Sequence, residues 1–131
     1  MSTCSGLTGS PDGEDAQALS FDCAFELLAS ERRRLLLYAL CADQRLPLSD
    51  AALMIAGWEE DRPVDTLSAA TVDVVHLSLE HSHVPKLERY DVIEVDETDG
   101  VITRGPRATQ LLSIMDGAGA LRAIESRVNG T

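Results

Sequence analysis

An α+β fold, mainly helical, is what this sequence of 131 residues predicts. Two observations carry the expectation. Apolar residues recur three and four positions apart through most of the stretch from Phe21 to Leu87, the period of helices with a buried face. Between Val92 and Arg104 that period gives way to two short β-branched runs on either side of Asp99-Gly100, the strongest hairpin signal in the chain. Length adds a bound: one domain with tails, able to close one small core and helped by oligomerisation. The hydrophobic share, 44%, places the chain among ordinary globular proteins.

Residues 1–19, rich in Ser, Gly, Asp and Thr, read as a disordered acidic lead-in. The folded domain is expected over 20–105. Ser20 is a good N-cap for a short amphipathic helix with Phe21, Ala24, Phe25 and Leu28 on its apolar face. Ser30 caps the next helix, ERRRLLLYALCA, in which Leu36, Leu37 and Leu40 recur at helical spacing. Ser49 is the expected N-cap of a third helix that runs through Ala56 and weakens at Gly57. DRPVDT, residues 61–66, is a loop, because Pro63 biases Arg62 away from helical geometry. A fourth helix starts at Ser68 or Thr71 and is expected to end near His83, because Pro85 restricts Val84. Val92–Val95 and Val101–Arg104 are the hairpin strands, stopped by Gly105-Pro106. Residues 106–131 form a C-terminal helix weakened at Gly117 and Gly119. Its stripe of Leu111, Ile114, Met115, Ala118, Leu121 and Val128 has no obvious partner within the chain, so it is a candidate dimerisation element.

Charge bounds the partners. Acids outnumber bases 22 to 11, for a net charge of -11, and Lys86 is the single lysine. Dispersed acid with almost no lysine points to a proteome adapted to high salt; a GC-rich genome that favours arginine codons is the alternative. Strong non-specific DNA binding is disfavoured, since that affinity comes from lysine and arginine on phosphates. A local basic patch is compatible with the totals. Cys4, Cys23 and Cys41 are odd in number and lack C-x-x-C spacing, so neither a disulfide framework nor a zinc site is expected. The longest strictly apolar run, Leu35–Ala42, is too short to span a bilayer, and the N-terminus lacks a signal pattern. A cytoplasmic protein with no membrane partner and no cofactor is expected.

Three or four helices, a two-stranded hairpin and a last helix follow the order of a winged helix–turn–helix. The third helix would open the motif, the fourth would be the recognition helix, and 92–104 would be the wing. HSHVPKLERYDVI, residues 81–93, resembles the passage from recognition helix to wing in ArsR-type winged-helix regulators. Those carry His-Leu, a later leucine, a glycine and two apolar residues; here the places are taken by His83-Val84, Leu87, Asp91 and Val92-Ile93. The fuller pattern is similar to a haloarchaeal family of ArsR-like winged helices with no assigned function. Its marks are ELLASERRR (26–34), Trp58-Glu59 before Arg62-Pro63-Val64-Asp65, and His81 to Leu87. The likeness covers about two thirds of the chain, from Phe21 to Arg104, and rests on order and spacing more than on any one motif.

The resemblance implies a transcriptional regulator that binds DNA as a homodimer. Its candidate contacts are Arg32, Arg33, Arg34, His76, Ser78, His81, Ser82, Lys86 and Arg104. The residues themselves pull the other way. On the fourth helix Asp73, His76 and Glu80 form one stripe, Val72, Val75 and Leu79 an apolar seam beside it, and Val74 and Leu77 a second apolar strip. A helix apolar on two sides is expected to be buried on two sides. The wing sets Glu94, Asp96, Glu97 and Asp99 against Arg104, which opposes phosphate contacts. The alternative is therefore a winged helix turned protein-interaction or dimerisation module.

The three histidines admit a metal reading, since His76, Glu80 and His83 share a helical face. Pro85 and the absence of a nearby cysteine weigh against it. Ser78 and Ser82 lack a nucleophile-elbow setting and no glycine-rich phosphate loop is present, so no catalytic residue is expected. The favoured reading is structural: His83 at the helix end bonds a freed carbonyl, with His76 and His81 on the surface.

Overall fold

The computed structural model describes residues 18–128. The lead-in expected over 1–19 lies, up to residue 17, outside the described residues. Its last member is not a tail: Leu19 is buried, its N–H donates to Gln110 Oε1 at 2.7 Å, and its carbonyl accepts from Gln110 Nε2 at 2.9 Å. The fold is mainly helical with a small antiparallel sheet.

Serine caps open three helices. Ser20 Oγ accepts from Cys23 N–H at the start of α1 (Phe21–Leu28). Ser30 Oγ accepts from Arg33 N–H at the start of α2 (Glu31–Ala42). α1 buries Cys23, Ala24, Leu27 and Leu28. The expected stripe was half right. Phe21 and Phe25 instead face solvent, 70% and 56% exposed, and stack on each other with centroids 5.6 Å apart. α2 is the hub of the core. Leu35, Leu36, Leu37, Ala39 and Leu40 are all buried, and a helix apolar on most sides is enclosed on most sides.

β1 (Arg45–Pro47) follows α2 and was not foreseen. Three residues with one buried side chain, Leu46, show no readable alternation, and Pro47 reads as a breaker; an edge strand tolerates both. α3 (Leu48–Glu60) starts directly after Pro47 and not after Ser49. Its first N–H, on Leu48, donates to Gly100 O at 2.9 Å, so the sheet satisfies a group that a side-chain cap would otherwise have to meet. α3 also runs through Gly57 to Glu60 and ends at Asp61 in the left-handed region, φ 57°. After the loop and a short 3₁₀ turn at Val64–Thr66, Ser68 caps α4 (Ala69–Ser78).

Pro85 does not end the fourth helix. α4 passes through a π turn, Leu79–His83, into α5 (Val84–Arg89). In this turn Val84 N–H reaches five residues back, to Leu79 O. The next residue, Pro85, has no N–H to place, and the looser turn makes room for its ring against the preceding carbonyls.

β2 (Ile93–Asp96) and β3 (Val101–Arg104) form the expected hairpin one residue later than read on its first strand. The sheet order is β1-β3-β2, with Leu46 opposite Ile102 and Ile102 opposite Val95. The C-terminal segment is two helices, α6 (Ala108–Gly117) and α7 (Ala120–Val128), broken at Gly119, φ 81°. Its stripe has a partner within the chain. Leu111, Leu112, Met115 and Ile124 are buried in the same core as Leu36 and Ile55. No helix among the described residues is long and apolar enough to cross a membrane.

Candidate interaction surface on the fourth helix

α4 presents two unlike sides. Val75 and, in the turn that follows, Leu79 are buried, with Val72 packed partly against the core. That side lies against α3. The second apolar strip is not covered by the described residues: Val74 and Leu77 are 60% and 56% exposed. They stand three residues apart, so they form one ridge. Around them Asp73, Glu80 and His81 are exposed, and His76 Nδ1 lies 3.8 Å from Glu80 Oε1. No lysine or arginine lies between Ser68 and Pro85.

The arginine triplet is committed elsewhere. Arg32 forms a two-pronged pair with Glu59, Nε to Oε2 at 2.6 Å and Nη2 to Oε1 at 2.9 Å, tying α2 to α3. The carboxylate hydrogen bond raises the Arg32 pKa further, against the cost of its partial burial. Arg33 donates from Nε to Leu27 O and from Nη2 to Glu26 O; Arg34 donates from Nη1 to Leu28 O. Together they bond three carbonyls in the last turn of α1, where cations are favoured by the helix dipole; Glu26 O also accepts from Ala29 N–H at 3.2 Å. These arginines, placed by sequence at the start of α2, serve the C-terminus of the helix before it.

His83 completes this cluster. Its Nδ1 lies 3.2 Å from Arg33 Nη1. A guanidinium only donates, so Nδ1 accepts and the ring is neutral with its proton on Nε2. Burial, then the Arg33 and Arg32 charges, push the His83 pKa below its ordinary value, with Glu59 acting the other way. The structural role is thus real but its partner differs from expectation: His83 accepts from an arginine and does not donate to a freed carbonyl. Among the described residues no group of three His, Cys, Asp or Glu side chains is placed to hold a metal ion.

The remaining sequence-chosen residues fall in separate places. Lys86 Nζ is 3.0 Å from Glu26 Oε2, joining α5 to α1. His76 and Ser78 are half-buried on α4, and His81 and Ser82 are exposed in the π turn. Arg104 is half-buried on the central strand, opposite Ile93. Around it the β2–β3 hairpin exposes Glu94, Asp96, Glu97 and Asp99. Of the six dimerisation candidates, Leu111 and Met115 are buried in the chain's own core. Ile114, Leu121 and Val128 pack partly against that core, and Ala118 is exposed.

A profile of the family described as a domain of unknown function, DUF7344, matches residues 25–103. The chain belongs to that family. The matched span runs from α1 into β3 and so takes in α4, the arginine cluster and the turn between β2 and β3. No curated protein and no solved structure matches the chain.

Proposed function

We propose that this DUF7344 chain is an ArsR-like winged helix of transcription regulation that works through a protein contact made by α4. Two features support the winged-helix part. The order α2-β1-α3-α4-β2-β3, with the strand after α2 on the edge of the hairpin sheet, is the element order of that architecture. Asp91, at the place where ArsR-type regulators carry glycine, adopts φ 63°, a conformation that glycine takes without penalty.

One observation carries the choice of partner. The outward side of α4 is an apolar ridge, Val74 and Leu77, bordered by Asp73 and Glu80. A DNA-reading helix needs donors for phosphates and base edges. This ridge offers apolar surface and negative charge. A second copy would set acid against acid, whereas a protein surface with an apolar patch rimmed by Arg or Lys matches it in both respects. The partner is therefore a basic protein surface.

The second reading, a dimer that binds DNA, rests on the fold order and on the resemblance. Capture of genomic fragments by the full chain, from low to molar salt, separates the two. The protein-contact reading expects no enriched sequence. Recovery of a pseudo-palindromic site, lost in a Val74→Asp, Leu77→Asp variant, would overturn it in favour of DNA.

A further inference from the structure

A cleft of about 510 Å³ opens between the end of α3, the loop that follows it and the last turn of α7. We propose that it binds a small zwitterion with a bulky apolar body, an α-amino acid of the leucine type. The walls are apolar: Met54 and Trp58 from α3, Val64 from the loop, Val128 from α7. The polar groups that line it have opposite signs. Arg62 and Arg127 supply guanidinium groups, and Asp61 supplies a carboxylate.

The cleft is built by the fold. Asp61, φ 57°, ends α3 and turns the chain back, and Arg62 N–H donates to Gly57 O at 3.2 Å. A Cβ on Gly57 would lie 3.1 Å from Val64 Cγ1 and 3.3 Å from Arg62 O, so glycine lets the loop close on the helix. The connection from Asp61 to Ser68 is longer than the roughly three or four residues common in helix–turn–helix motifs, and its extra length forms one wall. Tyr38 fixes the indole of Trp58 in an edge contact, centroids 5.6 Å apart and planes at 73°. Arg127 is held by Glu31 and by Trp58 O at 3.2 Å. Arg62 uses Nη2 on Thr66 O at 3.0 Å, and Asp61 has no ion-pair partner among the described residues.

Those polar groups define the ligand class. A carboxylate takes the Arg62 side, with Arg127 adding charge, and an ammonium takes Asp61. The apolar body covers the indole and the aliphatic walls, in a volume typical of small-molecule sites. Neither charge alone uses the full lining.

Trp58 is the single tryptophan, so its emission reports the cleft. The full chain is titrated with L-leucine, glycine, N-acetyl-L-leucine and L-leucinamide, with calorimetry as a second readout. L-leucine is expected to give a saturable blue shift as water leaves the indole. The other three, each lacking one element of recognition, should bind at least about tenfold more weakly. Arg62→Gln, at an exposed residue, should weaken L-leucine at least about tenfold and leave L-leucinamide unchanged. Absence of saturation by L-leucine in both readouts, equal binding of the four compounds, or an Arg62→Gln variant that binds like the parent would each overturn the proposal.

Discussion

Asp91 and Gly105 form a backbone lock at the base of the β2–β3 hairpin. Asp91 holds φ 63°, and a Cβ on Gly105 would stand 2.5 Å from Asp91 O. Gly105 cannot back away, because its N–H donates to Val92 O at 2.8 Å. Gly105→Ala should therefore cost more than about 2 kcal/mol in denaturant unfolding. Asp91→Gly should instead gain up to about 1 kcal/mol by removing the left-handed penalty, since its contact with Arg107, 3.7 Å on a largely exposed carboxylate, is weak. His83 supplies a pH dependence with a definite sign. Its folded pKa lies below its ordinary value, so the native state favours the neutral ring. That contribution is fully present above about pH 6.5 and is lost as the pH falls through the folded value. Urea unfolding at about pH 7.5 and about pH 5 should show a loss at acid pH that shrinks in His83→Gln. An unchanged loss would assign the effect to other groups. The sequence placed His83 at a core-facing position but did not reveal its partner, which lies 50 residues earlier on α2.

At the level of elements, α4 combines a buried side and an exposed side within a few residues. Leu79 is fully buried and Leu77 is 56% exposed. Leu79→Ala should cost about 2–5 kcal/mol, whereas Leu77→Ala should stay within about 0.5 kcal/mol. Equal effects in thermal or urea unfolding would contradict the orientation of the helix. Arg33→Ala should cost about 1–3 kcal/mol, because Leu27 O and Glu26 O each lose a charged donor and Glu26 O keeps the Ala29 N–H. Arg33→Lys should recover only part of it, since one ammonium nitrogen replaces the three guanidinium nitrogens that reach Leu27 O, Glu26 O and His83 Nδ1. The helices themselves were legible, because Ser20, Ser30 and Ser68 cap them and their apolar period is long. β1 was not, since its pairing with β3 joins residues 45–47 to 101–103 and leaves no local pattern. Pro85 misled for a related reason. A proline stops a regular α-helix, but a π turn moves the hydrogen-bond register so that the chain continues. The two-sided apolarity of α4 was readable, but which side the chain covers is decided by α3.

Across the whole molecule, most of the basic side chains expected from the sequence to contact DNA are tied to the fold itself. Arg32, Arg33, Arg34 and Lys86 join α1, α2, α3 and α5 to one another, while the acids of α4 and the β2–β3 hairpin face outward. The net charge of -11 was plain in composition; its uneven use was not, because ion pairs such as Arg32–Glu59 and Lys86–Glu26 span 27 and 60 residues. The C-terminal stripe likewise looked unshielded only while its partner, the α2 hub, was out of sight in sequence. Among the described residues, large apolar side chains are exposed at Val74 and Leu77 on α4, at Phe21 and Phe25 on α1, at Leu53 on α3 and at Val64 in the loop after it. The α4 pair stands in a stretch, Ser68 to Pro85, that holds acids and no Lys or Arg. The most direct measurement is site-specific photo-cross-linking in the native cell from position 77, with position 98 in the β2–β3 turn as control. The account predicts a cross-link from position 77 to a protein segment in which apolar residues are flanked by Lys or Arg. A cross-link to DNA, or to a second copy alone, would contradict it.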